Sequence, residues 1–187
     1  MQILNKIHLN SSIFSRIFIS SSISTTDPSN FSSLLGYRQS LFSLVNPTLF
    51  QYSLKTCFLF LESFLRAKYS FVFVGSFSNP ILFNRFSKIC KGKNFYLLKD
   101  TETSAGFLTN NVNLISNTVV ITLFLNSRKT ELIQKEAFLL KIPTISFSDL
   151  SANRFSSTIF IGGNYSSFLA QNLILSLISV CIQQKYE

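Results

Sequence analysis

A strand–helix–strand pattern between residues 118 and 149 constrains the fold of this chain more than any other feature. Val119 to Leu125 is a nearly continuous run of β-prone apolar residues, which is typical of a strand covered on both faces. From Arg128 to Lys141 apolar residues recur at helical spacing instead, and Ile142-Pro143 ends that helix. Thr144 to Ser148 then predicts a second strand. This crossover predicts two parallel neighbouring strands.

The same alternation of strands and helices continues on both sides of this unit. Because the strands are apolar, we predict a three-layer α/β domain whose mainly parallel sheet is flanked by helices, with a flavodoxin- or Rossmann-like topology. No proline- or glycine-rich linker divides residues 36–187, which we expect to form a single domain after an N-terminal extension over residues 1–35. Further strands are predicted at Leu41–Val45, Phe71–Gly75, Phe95–Leu98 and Thr158–Ile161, and helices over Thr48–Ala67, Pro80–Cys90 and Ser166–Gln183.

The charge balance indicates the kind of partner. The 187 residues include 17 Lys and Arg against 8 Asp and Glu, which gives a net charge of +9, while 47% of residues are hydrophobic. An apolar core with a basic surface favours a polyanionic partner, either nucleic acid or an acidic membrane face. The alternative is that the charge serves solubility alone.

The residues that enzymes and metal sites need are absent or scattered. The three cysteines have no metal-ligand spacing, and the single histidine, His8, lies in the serine-rich extension. No phosphate-binding loop or nucleophile elbow is present. Gly75 follows a strand, as in dinucleotide-binding turns, but the second and third glycines are missing and Phe77 crowds the approach. We therefore expect no catalytic residue, no cofactor, no metal and no small-molecule substrate.

Lysines and arginines that cluster near the predicted helix ends are the candidate binding residues. Long cations on helices and adjoining loops neutralise phosphates without reading base sequence. The alternative is an ordinary solvated helix face. The candidates are Arg66, Lys68, Arg85, Lys88, Lys91, Lys93, Arg128 and Lys129.

The C-terminal apolar run could be read as a membrane segment. Residues 168–182 are shorter than the roughly twenty residues needed to span a bilayer, and they include Gln171 and Asn172. We therefore predict a terminal helix packed on the core and no membrane span.

A series of short motifs resembles the small-subunit ribosomal protein number two family in its mitochondrial form. Each motif is weak alone, but their order and spacing over residues 36–183 match the family. The matching stretches are Gly36-Tyr37-Arg38-Gln39, Asn46-Pro47-Thr48, Phe73-Val74-Gly75, Gly106-Phe107-Leu108-Thr109-Asn110, Glu136-Ala137, Ile142-Pro143, Asp149 and Ile161-Gly162-Gly163-Asn164.

This chain departs from the family pattern at several points, including Tyr165-Ser166 in place of an acidic pair and residues 1–35, which have no counterpart. Glu102-Thr103 replaces the family's arginine-tryptophan pair, and Gly162 replaces a proline. The family's long helical hairpin is missing, since residues 112–118 are all that separate Asn111 from Val119.

The resemblance implies a non-enzymatic, structural constituent of the mitochondrial small ribosomal subunit. Its partners would be small-subunit ribosomal RNA and neighbouring ribosomal proteins, and Arg38 joins the candidate phosphate contacts on this ground. The residue usage, with 21 Phe and no Trp, is typical of A+T-rich codons and indicates an organelle or another A+T-rich genome, with an organellar or a nuclear gene both open. Two alternatives remain open: a degenerate α/β nucleotide-binding enzyme, and a small organellar membrane protein.

Overall fold

A computed structural model describes residues 17–22, 26–38, 42–91, 94–110 and 117–183. The strands are β1 (Ile19–Ser22), β2 (Leu34–Arg38), β3 (Phe42–Val45), β4 (Ser70–Gly75), β5 (Phe95–Lys99), β6 (Thr118–Leu123), β7 (Thr144–Ser148) and β8 (Ile159–Gly162). The helices are α1 (Pro47–Arg66), α2 (Pro80–Ile89), α3 (Phe107–Asn110), α4 (Ser127–Leu139) and α5 (Phe168–Gln183). Short 3-10 helices cover Pro28–Ser33, Asp100–Glu102 and Arg154–Ser156.

A five-stranded parallel sheet forms the centre of the molecule. Its strand order is β5-β4-β6-β7-β8, and every neighbouring pair is parallel. The predicted crossover is confirmed: β6 pairs with β7 in parallel, and α4 connects them. Numbered by their succession in the chain, the strands follow the 2-1-3-4-5 order of doubly wound folds. The predicted α/β fold class is therefore confirmed.

The two faces of the sheet are covered by different helices, which produces three layers. Successive side chains of a strand point to opposite faces, so Phe71 and Phe73 of β4 pack with α1, α2 and α5. Val72 and Val74 pack instead with α3 and α4. Both faces of the central strands are thus buried, as their continuous apolar sequence predicts.

Three of the long helices that border the sheet begin in the same way. In each, an asparagine at the N-cap accepts a hydrogen bond from a backbone N–H two or three residues further on. A proline follows the first two of these asparagines, where its fixed φ suits the first helical turn. The cap bonds join Asn46 Oδ1 to Thr48 N (3.0 Å), Asn79 Oδ1 to Ile81 N (2.8 Å) and Asn126 Oδ1 to Lys129 N (2.9 Å).

Residues near the N-terminus form a second, smaller sheet. Strands β1, β3 and β2 pair antiparallel in that order, so the strand predicted at Leu41–Val45 belongs to this sheet as Phe42–Val45 and not to the parallel one. The short helix before β2 docks on the α/β core through Asn30, whose Nδ2 donates to the carbonyl oxygens of Leu150 and Ala152, both at 2.8 Å. Part of the predicted extension therefore packs against the domain.

Replacing Asn30 tests this docking contact. Asn30→Ala would leave two carbonyl groups without their donor in a buried place, so we expect the free energy of unfolding to fall by about 1–3 kcal/mol. Urea denaturation measures it. Asn84→Ala, on the exposed face of α2, is the control and should change the unfolding free energy by less than about 0.5 kcal/mol. Equal effects of the two substitutions would contradict the docking role.

Candidate nucleic-acid interface

Four of the predicted cations and one further lysine, Lys141, lie at the amino-terminal edge of the parallel sheet. In parallel strands all the strand starts lie at one edge, and so do the connections that lead into them from the helices. Arg66 and Lys88 lie in the last turns of α1 and α2, while Lys68, Lys91 and Lys141 lie in the connections to β4, β5 and β7. All five residues are exposed. We call this group the cationic rim.

Two lysines of the rim occupy equivalent backbone positions. Lys68 follows α1 with a φ of 59°, and Lys141 follows α4 with a φ of 55°. Both helices end in a Schellman motif, in which a left-handed residue closes the last turn and glycine is usual. A lysine there is strained, yet its ammonium lies near the negative end of the helix dipole. The motif bonds are Lys68 N to Leu65 O (3.1 Å), Tyr69 N to Phe64 O (3.1 Å), Lys141 N to Phe138 O (3.1 Å) and Ile142 N to Ala137 O (2.8 Å).

Carboxylates on the helices leading to the rim neutralise little of it. Glu62 Oε1 lies 2.6 Å from Arg66 Nη2, in an exposed pair of the kind that contributes little stability. Glu136 instead accepts hydrogen bonds from the backbone N–H groups of Gly106 (2.5 Å) and Leu108 (3.0 Å). The four lysines of the rim form no salt bridge with any residue that the structure describes. Their charge is therefore available to an anionic partner.

The remaining predicted cations lie elsewhere. Arg85 is exposed along α2, and Arg128 is exposed in the first turn of α4, at the carboxyl edge of the sheet. Beside it, Lys129 Nζ already contacts Asp100, at 3.2 Å from Oδ2 and 3.1 Å from the backbone oxygen. Arg38 ends β2 in the small sheet, where only its backbone is described, and Lys93 lies outside the described residues. Four of the predicted residues therefore belong to the cationic rim, and the other described ones lie at separate places on the surface.

Sequence reasoning does not include Lys141 among the candidates. Its helical spacing places it only on the solvated side of its helix. Its position at the same edge as Lys68 depends on the parallel register of β4, β6 and β7, which brings the two connections to one edge. The signal that could have found it is the lysine immediately before Ile142-Pro143, at the end of a predicted crossover helix.

The carboxyl edge, where doubly wound folds bind their ligands, holds a small crevice. Its volume is about 250 Å³. It lies between the ends of β4 and β6, whose following helices, α2 and α4, pack on opposite faces of the sheet. Phe77 fills the approach to Gly75: a Cβ built on this glycine would lie 2.6 Å from the Phe77 ring. The rings of Phe124 and Tyr165 pack together beside it, with centroids 5.4 Å apart. Aromatic side chains thus occupy the position where a phosphate loop would need open backbone.

A buried glutamine holds the start of α2 beside this crevice. Gln171 Oε1 accepts hydrogen bonds from both the backbone N and the Oγ of Ser78, each at 2.9 Å. Its Nε2 donates to the carbonyl oxygen of Tyr165 at 2.9 Å. In the sequence this residue is only a polar break in an apolar helix, and its partners depend on the tertiary fold.

Burial raises the pKa of ionisable groups both at this edge and elsewhere in the core. The pKa of Asp149 is raised because burial disfavours the carboxylate, although a hydrogen bond from the Tyr165 backbone N–H partly opposes this. Burial also raises the pKa of Cys90 to about 12 and that of Cys181 to about 11, so these thiols stay protonated at neutral pH. No three His, Cys, Asp or Glu side chains in the described part of the chain lie where they could hold a metal ion.

A helix able to cross a membrane, both long and apolar enough, is not found among the described residues.

Comparison with known proteins adds no assignment: a scan against protein-family models and a search of curated proteins found no match for this chain. The fold and the surface define the class, which is a doubly wound α/β domain with a cationic rim at the amino edge of its sheet.

Glycine and alanine substitutions in the rim separate charge from backbone strain. At Lys68 and Lys141, both substitutions remove the ammonium, but only glycine adopts a positive φ without strain. We expect the Lys68→Gly/Lys141→Gly variant to be more stable than the matching alanine variant by about 1 kcal/mol per site in urea denaturation. Both variants should bind duplex RNA equally weakly. If glycine restored RNA binding relative to alanine, the backbone and not the charge would be responsible.

Asp149 provides a pH-dependence test of the crevice. Its folded pKa lies above the unfolded value, so the stability it contributes is fully present below the unfolded pKa and is lost as the pH rises through the folded pKa. The contribution of Asp149 to the free energy of unfolding of the wild-type chain should therefore fall as the pH rises above about 4. Asp149→Asn should lack that contribution and be at least as stable at pH 7. A variant clearly less stable at pH 7 would show that the carboxylate has a stabilising partner.

Proposed function

We propose that this chain is a structural, non-enzymatic constituent of the mitochondrial small ribosomal subunit, which binds ribosomal RNA and neighbouring ribosomal proteins. The observation that carries the proposal is the cationic rim, where four lysines without ion pairs among the described residues share one edge of a rigid sheet. Lysine ammonium groups on flexible stems are suited to phosphate oxygens and carry no base preference. Ribosomal RNA offers a continuous array of such phosphates.

The position of the rim on the fold supports an RNA surface. The connections that hold Lys68 and Lys141 are short and closed by Schellman bonds, so the lysine backbones are held at fixed positions. Only the long side chains must therefore be ordered when the lysines bind the regularly spaced phosphates of a nucleic-acid backbone. The loss of conformational entropy on binding is then small.

The motifs that carry the family resemblance meet one another in space. Glu136 of one motif accepts hydrogen bonds from Gly106 and Leu108 of another. Asp149 accepts a hydrogen bond at 3.5 Å from the backbone N–H of Tyr165, which directly follows the glycine-glycine-asparagine motif. These residues therefore connect separate segments of the fold through hydrogen bonds. This gives a physical reason for the spacing of the motifs and supports the resemblance to the ribosomal protein family.

The two alternatives lack comparable support. A nucleotide-binding enzyme would need backbone N–H groups open to phosphate after β4, and Phe77 with Gln171 occupies that region. A membrane protein would need its apolar helix exposed to lipid, whereas Ile174, Ile178 and Cys181 of α5 are buried against the sheet.

The proposed location in the mitochondrion rests on the resemblance to the family and on the residue usage.

Charge reversal in the rim tests RNA binding. Lys88→Glu/Lys91→Glu should weaken binding of the full chain to small-subunit ribosomal RNA. It should also reduce the slope of log affinity against log salt by about 0.7–0.9 for each phosphate that the variant no longer neutralises. Filter binding over a range of salt concentrations measures both quantities.

A control variant removes the same charge elsewhere. Lys55→Glu/Lys135→Glu alters two exposed lysines in the middle of α1 and α4, away from the rim. It should reduce the salt slope less than the rim variant does. Equal reductions in the two variants would mean that net charge, and not the rim, determines binding.

A further inference from the structure

The outer edge of β8 is open to another strand. β8 is the last strand of the parallel sheet, and no strand among the described residues pairs with its outer side. The backbone N–H of Gly163 donates to the carbonyl oxygen of Ser148 at 3.2 Å, on the β7 side. By the alternation of a parallel ladder, the N–H and C=O groups of Phe160 and Gly162 therefore point outward. They are a template for an added strand.

A groove runs along this open edge. It has a volume of about 490 Å³ and is lined by all of residues 157–162, which would accommodate an extended segment about 20 Å long. Its walls carry apolar side chains that the domain leaves exposed: Tyr52 of α1 at 70% and Phe155 at 82%. Exposed aromatic side chains beside an open strand edge are typical of a binding surface.

The other edge of the sheet is protected in a way that β8 is not. Strand β5 ends in Lys99, a residue type that discourages pairing between edges, and Lys99 Nζ lies 4.7 Å from the centre of the Phe83 ring. Strand β8, with the sequence Ile-Phe-Ile-Gly, has no charged residue. The apolar edge is thus the one beside the groove.

A cation at the groove defines the charge of its occupant. Arg154 lines the groove, is exposed, and donates from Nη1 to the Oγ of Ser32 at 2.9 Å. It forms no salt bridge within the described part of the chain. A carboxylate on an incoming segment would complement it, and the excess of cations over acids in this chain also favours an acidic partner.

We propose that the β8 edge and its groove bind an extended, acidic and apolar segment of a partner protein, which adds to the sheet as a sixth strand. Backbone hydrogen bonds to Phe160 and Gly162 supply the affinity. Alternate side chains of the segment contact Tyr52 and Phe155, and its carboxylate pairs with Arg154. This surface shares no residue with the cationic rim, so its test is independent of RNA binding.

A phage-displayed library of random twelve-residue peptides, panned against the full chain, tests this inference. We expect enriched peptides in which apolar residues alternate and Asp or Glu is over-represented. Phe155→Ala and Arg154→Gln should each weaken their binding about tenfold. The matched control Phe138→Ala, at a residue 78% exposed on α4, should bind within about twofold of the wild-type chain. Unchanged urea midpoints would show that the variants remain folded.

A backbone measurement distinguishes strand addition from other modes of binding. With an enriched peptide bound, hydrogen exchange at the amides of Phe160 and Gly162 should slow at least about tenfold, and N-methylation of alternate peptide amides should abolish binding. No enrichment, or peptides indifferent to Phe155→Ala and Arg154→Gln, would overturn the proposal. Displacement of the peptides by a synthetic peptide of residues 1–16 would assign the groove to this chain's own N-terminus, and displacement by duplex RNA would assign it to RNA.

Discussion

Parallel pairing of strands that are apolar on both faces is the constraint on which this structure depends. Strands β4, β6 and β7 are almost wholly buried, so helices must cover both faces of the sheet. Once the faces are covered, the parts of the described sheet that remain to meet partners are the two ends of the strands and the outer sides of β5 and β8. The cationic rim, the aromatic crevice and the groove along β8 lie at these places, and each follows from the same pairing.

The two ends of the strands have different chemistry. At the carboxyl edge, which usually binds ligands in this fold class, Phe77 and Tyr165 replace open backbone with packed rings. At the amino edge, Lys68 and Lys141 accept a strained backbone in the last turn of their helices and keep their ammonium groups in solvent. At the carboxyl edge side chains thus fill the space that a ligand would need, whereas at the amino edge the rim lysines remain exposed. This difference between the two edges supports the proposed role as a scaffold that binds a polyanion.

The features that sequence predicted are those determined by local chemistry. The apolar run of β6 and the proline after α4 each act within a few residues, so their elements begin and end within about two residues of the prediction. Contacts between distant residues were not predictable in this way. Asn30 contacts Leu150 and Glu136 contacts Gly106 only once the tertiary fold has formed. Lys68 and Lys141 lie at one edge only because β4, β6 and β7 pair in a parallel register.

Sedimentation of the full chain from its native compartment tests the ribosomal assignment most directly. A lysate is separated on a sucrose gradient with magnesium and again with EDTA, and the chain is followed by mass spectrometry. The account predicts migration with small-subunit ribosomal RNA in both gradients, and departure from the monosome peak when EDTA separates the subunits. A chain that stays at the top of both gradients without RNA would contradict it.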